Sequence, residues 1–361
     1  NRMAGRRMAS LASRYVGAGG GIHVVDPSPD YRLILEDISS LEKNLSLRGL
    51  QSNDLNQLRN RYLQWYSTFE KMKDDKSLKS EVRNTVDAFL DVLALPNRLG
   101  EVSDTEIQEK IPEGEETLKS LGKLRNVKGA LSLTDTPVTI LKRLREDLLS
   151  CFSHTHTVSP SFFARTAILE AMNYNENDYL SFSDGSDTET KTYLMGHSLC
   201  TLLTPFIRAQ FNPNQQWPIE LQSSGPSYYN VPSRLVDGRQ REKHCIVSLC
   251  RNEEESMEWS KNIINSYKSY LIDTLGLQSV SSRLLSPREL SLCESSSTVI
   301  SSDSFTLCRI SHHGEYISRR LNLSLSDSSL IHISYAECDL SRLIALLFDP
   351  STPKRVTDAG R

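Results

Sequence analysis

The chain has 361 residues, 38% hydrophobic and 24% charged, which is enough to bury a sizeable core and excludes global disorder. A formal net charge of -3 excludes a basic surface over the whole molecule, so any contact with nucleic acid must come from a local patch. No run approaches the ~20 apolar residues that span a bilayer, and seven cysteines without a CxxC pair read as free thiols rather than a zinc site or a disulfide framework.

Residues 1–29 are basic, serine-bearing and free of acid before Asp26. That composition predicts a mitochondrial transit peptide or its remnant, hence the mitochondrial matrix; the alternative is a disordered basic arm. Over residues 30–97, Leu55, Leu58, Tyr62, Trp65, Phe69 and Met72 recur at three- and four-residue steps. A polar break at "KDDKS" follows, then a second stripe of Val82, Val86, Phe89, Leu90 and Leu93, stopped by Pro96. The pattern predicts an antiparallel pair of helices, each about 30 Å long. Its cations Arg59, Arg61, Lys71, Lys73, Lys76, Lys79 and Arg83 are candidate RNA contacts, or simply a solvated face partly offset by nearby acids.

Residues 98–120 read as a polar linker, 121–350 as an α+β domain and 351–361 as a tail. "PVTILKRLREDLLSCF" and "ESMEWSKNIINSYKSYLIDTL" are amphipathic helices, whereas "HCIVSLC", "SFTLCRISH", "RRLNLSLS" and "LIHISYA" read as strands. "CESSSTVISSDS" reads as a loop or insertion, and "DLSRLIALLFD" as a helix apolar on most sides and therefore buried. Runs of strands backed by a few helices favour antiparallel pairing over βαβ units.

The hairpin ending in "LALPNRLGE" is followed in order by "VSPSFFARTAILEAMNYNENDYLSF", "TYLMGHSLCTLL", "SRLLSPRELSLCESS", "ISHHGEYISRRLNLSL" and "LIHISYAECDLSRLIALLFD". Together these segments, over residues 30 to 350, resemble seryl-tRNA synthetases of class II. The resemblance implies an N-terminal helical tRNA-binding arm, here shortened, and an antiparallel sheet flanked by helices. It also implies a dimer interface around the motif 1 strand, "HTVSPSFF", with Pro160, Phe162 and Phe163.

The resemblance further implies which positions do chemistry, and here they are changed. In the family a Thr and a Glu near the "TYLMGHSLCTLL" run hold the seryl ammonium; His197 and Leu199 stand at those positions. The motif 2 Arg and Glu, which grip the α-phosphate and place ATP, correspond to Gln222 and Ser224, and Leu249 replaces an acid on the following strand. The motif 3 Arg corresponds to Ser341, with Arg342 one residue late, which is about 100° of helix rotation. His312 and Ile317 stand where active enzymes carry Asn and Gln. A bound ammonium needs a countercharge and phosphoryl chemistry needs a cation, so the expectation is a non-catalytic paralogue without cofactor or metal. Its expected partner is mitochondrial seryl-tRNA synthetase, with tRNA(Ser) or another RNA as a possible ligand and no membrane. Two alternatives stay open: a residual ligase using His197, His244, Arg234, Arg239, Arg241 or Arg342, and a nucleic-acid-binding or regulatory scaffold.

Overall fold

A computed structural model describes residues 27–51, 54–182 and 191–352. The stretch read as a transit-peptide remnant and most of the tail lie outside them.

The chain enters along the hairpin: Tyr62 donates its hydroxyl to the Pro29 carbonyl (2.7 Å) and accepts the Tyr31 amide (2.7 Å). Helix α1 (Ile38–Leu47) is capped by the Asp37 side chain, and α2 (Leu55–Asp74) by that of Asp54. The α2 stripe buries Leu55, Leu58, Tyr62 and Trp65 as its periodicity predicts. Its twenty residues give about 30 Å. The return leg is not one helix. It comprises α3 (Lys79–Asn84) and α4 (Asp87–Leu93), interrupted where the β-branched Thr85 turns its hydroxyl back to the Glu81 carbonyl. Phe89 still reaches Trp65, stacking at 4.5 Å with the rings nearly parallel.

The linker ends in a helix of its own, α5 (Gly114–Ser120), with Leu118 fully buried. A two-stranded hairpin, β1 (Leu124–Val127) and β2 (Ala130–Leu133), leads to α6 (Thr136–Cys151). The short β3 (His156–Thr157) follows; then β4 (Phe163–Arg165), β5 (Leu180–Phe182) and β6 (Thr192–Leu194) form a separate sheet with β6 central, with α7 (Thr166–Ala171) after β4 and α8 (Leu199–Leu203) after β6.

The central sheet has seven strands in the order β10 (Val280–Leu284), β11 (Ser296–Ser302), β12 (Phe305–Gly314), β14 (His332–Asp339), β9 (Gln240–Cys250), β8 (Ile219–Tyr228) and β3. A short parallel pair joins β7 (Gln210–Phe211) to β13 (Ser324–Leu325) outside it. All neighbours in the large sheet are antiparallel except β3, which pairs parallel to β8. The architecture is α+β with an N-terminal helical arm.

Two sequence expectations fail here. The serine-rich run is not a loop but β11, the second strand of the sheet, and its buried hydroxyls are satisfied locally. Ser297 donates to the Ile310 carbonyl and Ser302 to the Gln278 carbonyl. "RRLNLSLS" is not one strand: α10 (Tyr316–Leu321) takes its first half, closed by left-handed Asn322, and only Ser324 and Leu325 are extended.

Each sheet face has its own core. α6, α9 (Glu253–Ser269) and α11 (Leu340–Leu347) cover the back, with every residue of α11 buried. The hairpin and the segments around α7, α8 and α10 share a single core with the front. Among the described residues no helix is long and apolar enough to cross a membrane.

Candidate functional site

Residues directly opposite one another in an antiparallel sheet share a face, so the register sorts the candidates. Ser223, Cys245, Glu337 and Arg309 form one row across β8, β9, β14 and β12. Leu221, Val247, Tyr335 and Ser311 form the next, and Gly225, Lys243 and Asp339 a third. These rows face front. From the first two rows, Arg309, Ser311, Tyr335 and Glu337 floor a cavity of about 220 Å³, walled by Tyr174, Asp178, Tyr179, Tyr229, Glu294 and His313. That is below the ~300–1,000 Å³ of ordinary ligand pockets.

The cavity and the sheet behind it are rich in charge. Lys243, Glu294, Arg309 and Glu337 are spent on one another, while the Asp178 carboxylate in the wall accepts, among the described residues, only from the Asn175 side-chain amide at 3.3 Å. Lys243 Nζ lies 2.8 Å from Glu337 and 2.8 Å from the Tyr229 hydroxyl. Tyr335 donates to the same carboxylate at 3.0 Å. Arg309 pairs with Glu294 at 2.5 Å, and Glu294 also accepts from the Ser311 hydroxyl and the Ser291 amide. Burial works against every one of these charges. Although burial is the largest single influence, Lys243 titrates above its ordinary value because Glu337, Tyr229 and Asp339 together outweigh it, and Glu337 titrates low because Lys243 and Arg309 together do the same. Glu294 likewise stays low beside Arg309. His313 lies between them; burial lowers its pKa, partly offset by Glu294. Its Nδ1 lies 3.2 Å from the Cys293 carbonyl, and its buried Nε2 has no hydrogen-bond partner.

Sequence reasoning did not find this quartet. Lys243, Glu294, Arg309 and Glu337 are spread over almost a hundred residues; the sheet register aligns Lys243, Arg309 and Glu337 on one face and the loop before β11 brings in Glu294, so no local spacing announces them.

His197 lies beside the cavity, 7% exposed. Its ring is 5.4 Å from that of Phe162, its Nδ1 is buried without a partner, and its Nε2 fills the space above Gly225. Burial and then the nearby Arg145 lower its pKa to about 4, so the ring is neutral at pH 7. Leu199 is buried at the start of α8, behind a Ser198–Thr201 capping box.

Gln222 and Ser224 do not point into the cavity. Their opposite partners are Ile246 and His244, which places both on the back. Gln222 Nε2 donates to the Phe152 carbonyl (2.9 Å) behind the sheet. The front positions of β8 are instead Leu221, Ser223, Gly225 and Ser227, none of them charged. Glu220 shares the back face and holds Trp259 Nε1. His244 is also sealed behind the sheet, within 3.0 Å of the Tyr267 hydroxyl and 3.1 Å of Gln222 Oε1, with its pKa pushed down to about 3 by burial.

Ser341 accepts the Glu242 amide at 2.9 Å. Arg342 is clasped by Asp237 (2.8 Å) and Glu109 and lies over the Phe305 ring at 4.2 Å, fully committed to back-side partners. His312 faces back, near Ser256 and Ser334. Of the loop arginines, Arg241 faces front, opposite Ser227, stacked on Tyr229 at 4.4 Å.

On the proposed interface, Pro160 is half-buried after β3, and Phe162 accepts the Met195 and Gly196 amides through its carbonyl. Phe163 is 51% exposed and meets Phe182, 53% exposed, edge to face at 6.1 Å. Phe182 was not anticipated because it lies in a short strand nineteen positions on. The arm cations fall into separate groups. Arg61 pairs with Asp91, and Lys73 with Glu70 at 2.8 Å. Lys79 and the half-buried Arg83 share a surface depression with Ser77, Ser80 and Asn84 at the hairpin turn, next to exposed Lys76. Half-buried Arg59 lies about 18 Å back along α2 from exposed Lys71.

The fold, a mainly antiparallel sheet with an N-terminal helical arm, is that of class II synthetases. Within that class the chain is similar in structure to seryl-tRNA synthetases. It superposes on the cytoplasmic serine-tRNA ligase of Naegleria fowleri in complex with AMP with a TM-score of 0.72 and 14% identity, covering 92% of this chain and 95% of that one. With seryl-tRNA synthetase of Pyrococcus horikoshii complexed with ATP, the TM-score is 0.69 and identity 14%, over 89% and 94% of the two chains. Giardia lamblia prolyl-tRNA synthetase in complex with prolyl-adenylate gives 0.56 and 10%, over 66% and 53%. No protein-family model matches the chain, and no curated protein matches it in sequence. At such identities the likeness is one of fold.

Proposed function

We propose that the chain is a non-catalytic, seryl-tRNA synthetase-like subunit of the mitochondrial matrix, akin to the seryl-tRNA synthetase-like insect mitochondrial protein. It pairs with mitochondrial seryl-tRNA synthetase through the motif 1 surface and supports aminoacylation of tRNA(Ser) and mitochondrial translation. One observation carries the non-catalytic half: the front of β8 offers no cation, and the cations Lys243 and Arg309 on the neighbouring strands are already paired with Glu337 and Glu294. Adenylate formation needs fixed countercharge at the carboxylate, the ammonium and the α-phosphate. Losing one such contact typically costs about 3–4 kcal/mol, or 10² to 10³ in rate. Recruiting Lys243 or Arg309 for a substrate would strand its buried carboxylate.

The pairing half rests on the exposed Phe163–Phe182 pair beside β3, an apolar anchor of the kind that centres interfaces. Arg241 at the cavity rim favours one second reading, a residual ligase with a displaced phosphate contact.

Tagged chain expressed in mitochondria should co-purify with the mitochondrial enzyme, and Phe163→Asp should abolish the pairing. Recovery of monomers or self-dimers alone would remove the heterodimer. Serine-dependent ATP–pyrophosphate exchange above background, lost in Arg241→Ala, would remove the non-catalytic reading.

A further inference from the structure

The arm root meets the wall of the front cavity through Arg48 and Asn97. Arg48, at the end of α1, is 7% exposed yet has no carboxylate among its hydrogen-bond acceptors. Its guanidinium is spread over Asn44 Oδ1 (2.9 Å) and the carbonyls of Ser291 (3.0 Å), Glu294 (2.6 Å) and Asn97 (3.3 Å). Asn97, just past the hairpin, completes the bracket. Its amide donates to the Leu292 carbonyl at 2.7 Å, and its side chain to the carbonyls of Cys293 and His313 at 2.9 and 2.8 Å. Every carbonyl from Ser291 to Glu294 is therefore held from the arm side. The same four-residue segment projects the Glu294 carboxylate, 4% exposed, onto Arg309 and Ser311 in the cavity.

We propose that the hairpin root and the cavity wall form one mechanical unit in which Arg48 is the positioning residue. A tilt of α1 displaces the Ser291–Glu294 carbonyls, and Glu294 can follow only by loosening its pair with Arg309. Coupling of this kind is reciprocal: whatever docks on the hairpin biases the cavity, and whatever changes the cavity biases the hairpin root. The physical carrier is a short chain of buried hydrogen bonds rather than proximity alone. The inference does not depend on whether the chain is catalytic.

Amide hydrogen exchange on the full chain tests it from both ends. Arg48→Met should speed exchange of the Leu292–Ser295 amides by roughly 10- to 100-fold, the size of a lost hydrogen bond to a charged group, and leave the hairpin turn at 76–84 unchanged. Arg48→Lys, which keeps the charge but not the fork, should fall between the two. From the other end, Glu294→Gln should speed exchange at Arg48, Gly49 and Leu50, and that increment should vanish in the Arg48→Met background. A merely structural loss would leave the increments additive. The proposal is overturned if the Leu292–Ser295 amides change by less than about two-fold, or if the Glu294→Gln effect is the same in both backgrounds. Should Arg48→Met fail to fold, the same cycle read on Arg48→Lys decides it by the same criteria.

Discussion

Gly225 carries no side chain because His197 occupies the place where one would stand. A Cβ there would lie 2.2 Å from His197 Nε2 and 2.5 Å from its Cδ2, and a buried ring between Phe162 and the sheet has nowhere to retreat. His197 thus does a packing job over an uncharged strand, which fits its low pKa and unpartnered Nδ1 better than it fits proton transfer. Gly225→Ala should destabilise the fold by about 1–3 kcal/mol, the usual penalty for overfilling a packed core. His197→Ala should leave a cavity that accepts the new methyl group, so the double variant should be more stable than the sum of the single effects predicts. Urea denaturation of the four proteins measures this, and strict additivity would mean that the two residues do not share the space. The same residue scale shows where sequence reading reached its limit. His197 and Leu199 were singled out in the sequence through the family resemblance alone, and the structure shows both buried. The quartet of Lys243, Glu294, Arg309 and Glu337 was not singled out, since its meaning lies in which strands are neighbours and in how the loop before β11 folds back on them.

At the level of elements, the sequence showed a helix or strand wherever burial imposes a period. α2, α6, α9 and α11 fall where apolar residues recur at helical steps, and β9, β12 and β14 where β-branched residues cluster. It misled where side chains satisfy themselves. Serines usually mark loops because their hydroxyls compete for backbone groups. In β11 those hydroxyls bond across the sheet or to a neighbouring loop, and the strand survives with a polar composition. The broken return leg of the hairpin is held by one aromatic stack rather than by helix continuity. Trp65 lies between Phe69 at 5.4 Å and Phe89 at 4.5 Å and donates its indole N–H to the Val82 carbonyl. Trp65→Ala should therefore cost about 3–5 kcal/mol. Because the arm and the front of the sheet share one core, calorimetry should show a single transition moved to lower temperature. Two resolved transitions, with the later one unmoved, would show that arm and sheet unfold separately.

For the molecule as a whole, the buried titratable groups set how stability depends on pH. Burial lowers His197 and His312 to about 4 and His244 to about 3, against an ordinary value near 6.5. A group whose folded pKa lies below its unfolded one contributes stability above the unfolded value and loses it as pH falls toward the folded one. Between about pH 6.5 and 4 the unfolded chain binds these protons and the native chain does not, so each such histidine removes about 1.4 kcal/mol per pH unit. Glu294 and Glu337 are also depressed, but their loss begins only below the ordinary glutamate value of about 4.3, which adds a second, more acidic decline. Lys243 is raised, so its contribution persists throughout this range and disappears only in strong alkali. Urea midpoints should accordingly be level above pH 7, fall steadily from 6.5 to 4.5, and fall less steeply in His197→Phe, which removes one of the four histidines that burial lowers, His313 being the fourth. A wild-type midpoint that does not move between pH 7 and 5 would mean that these imidazoles take up protons in the native state, and that the space around them is open to water rather than sealed.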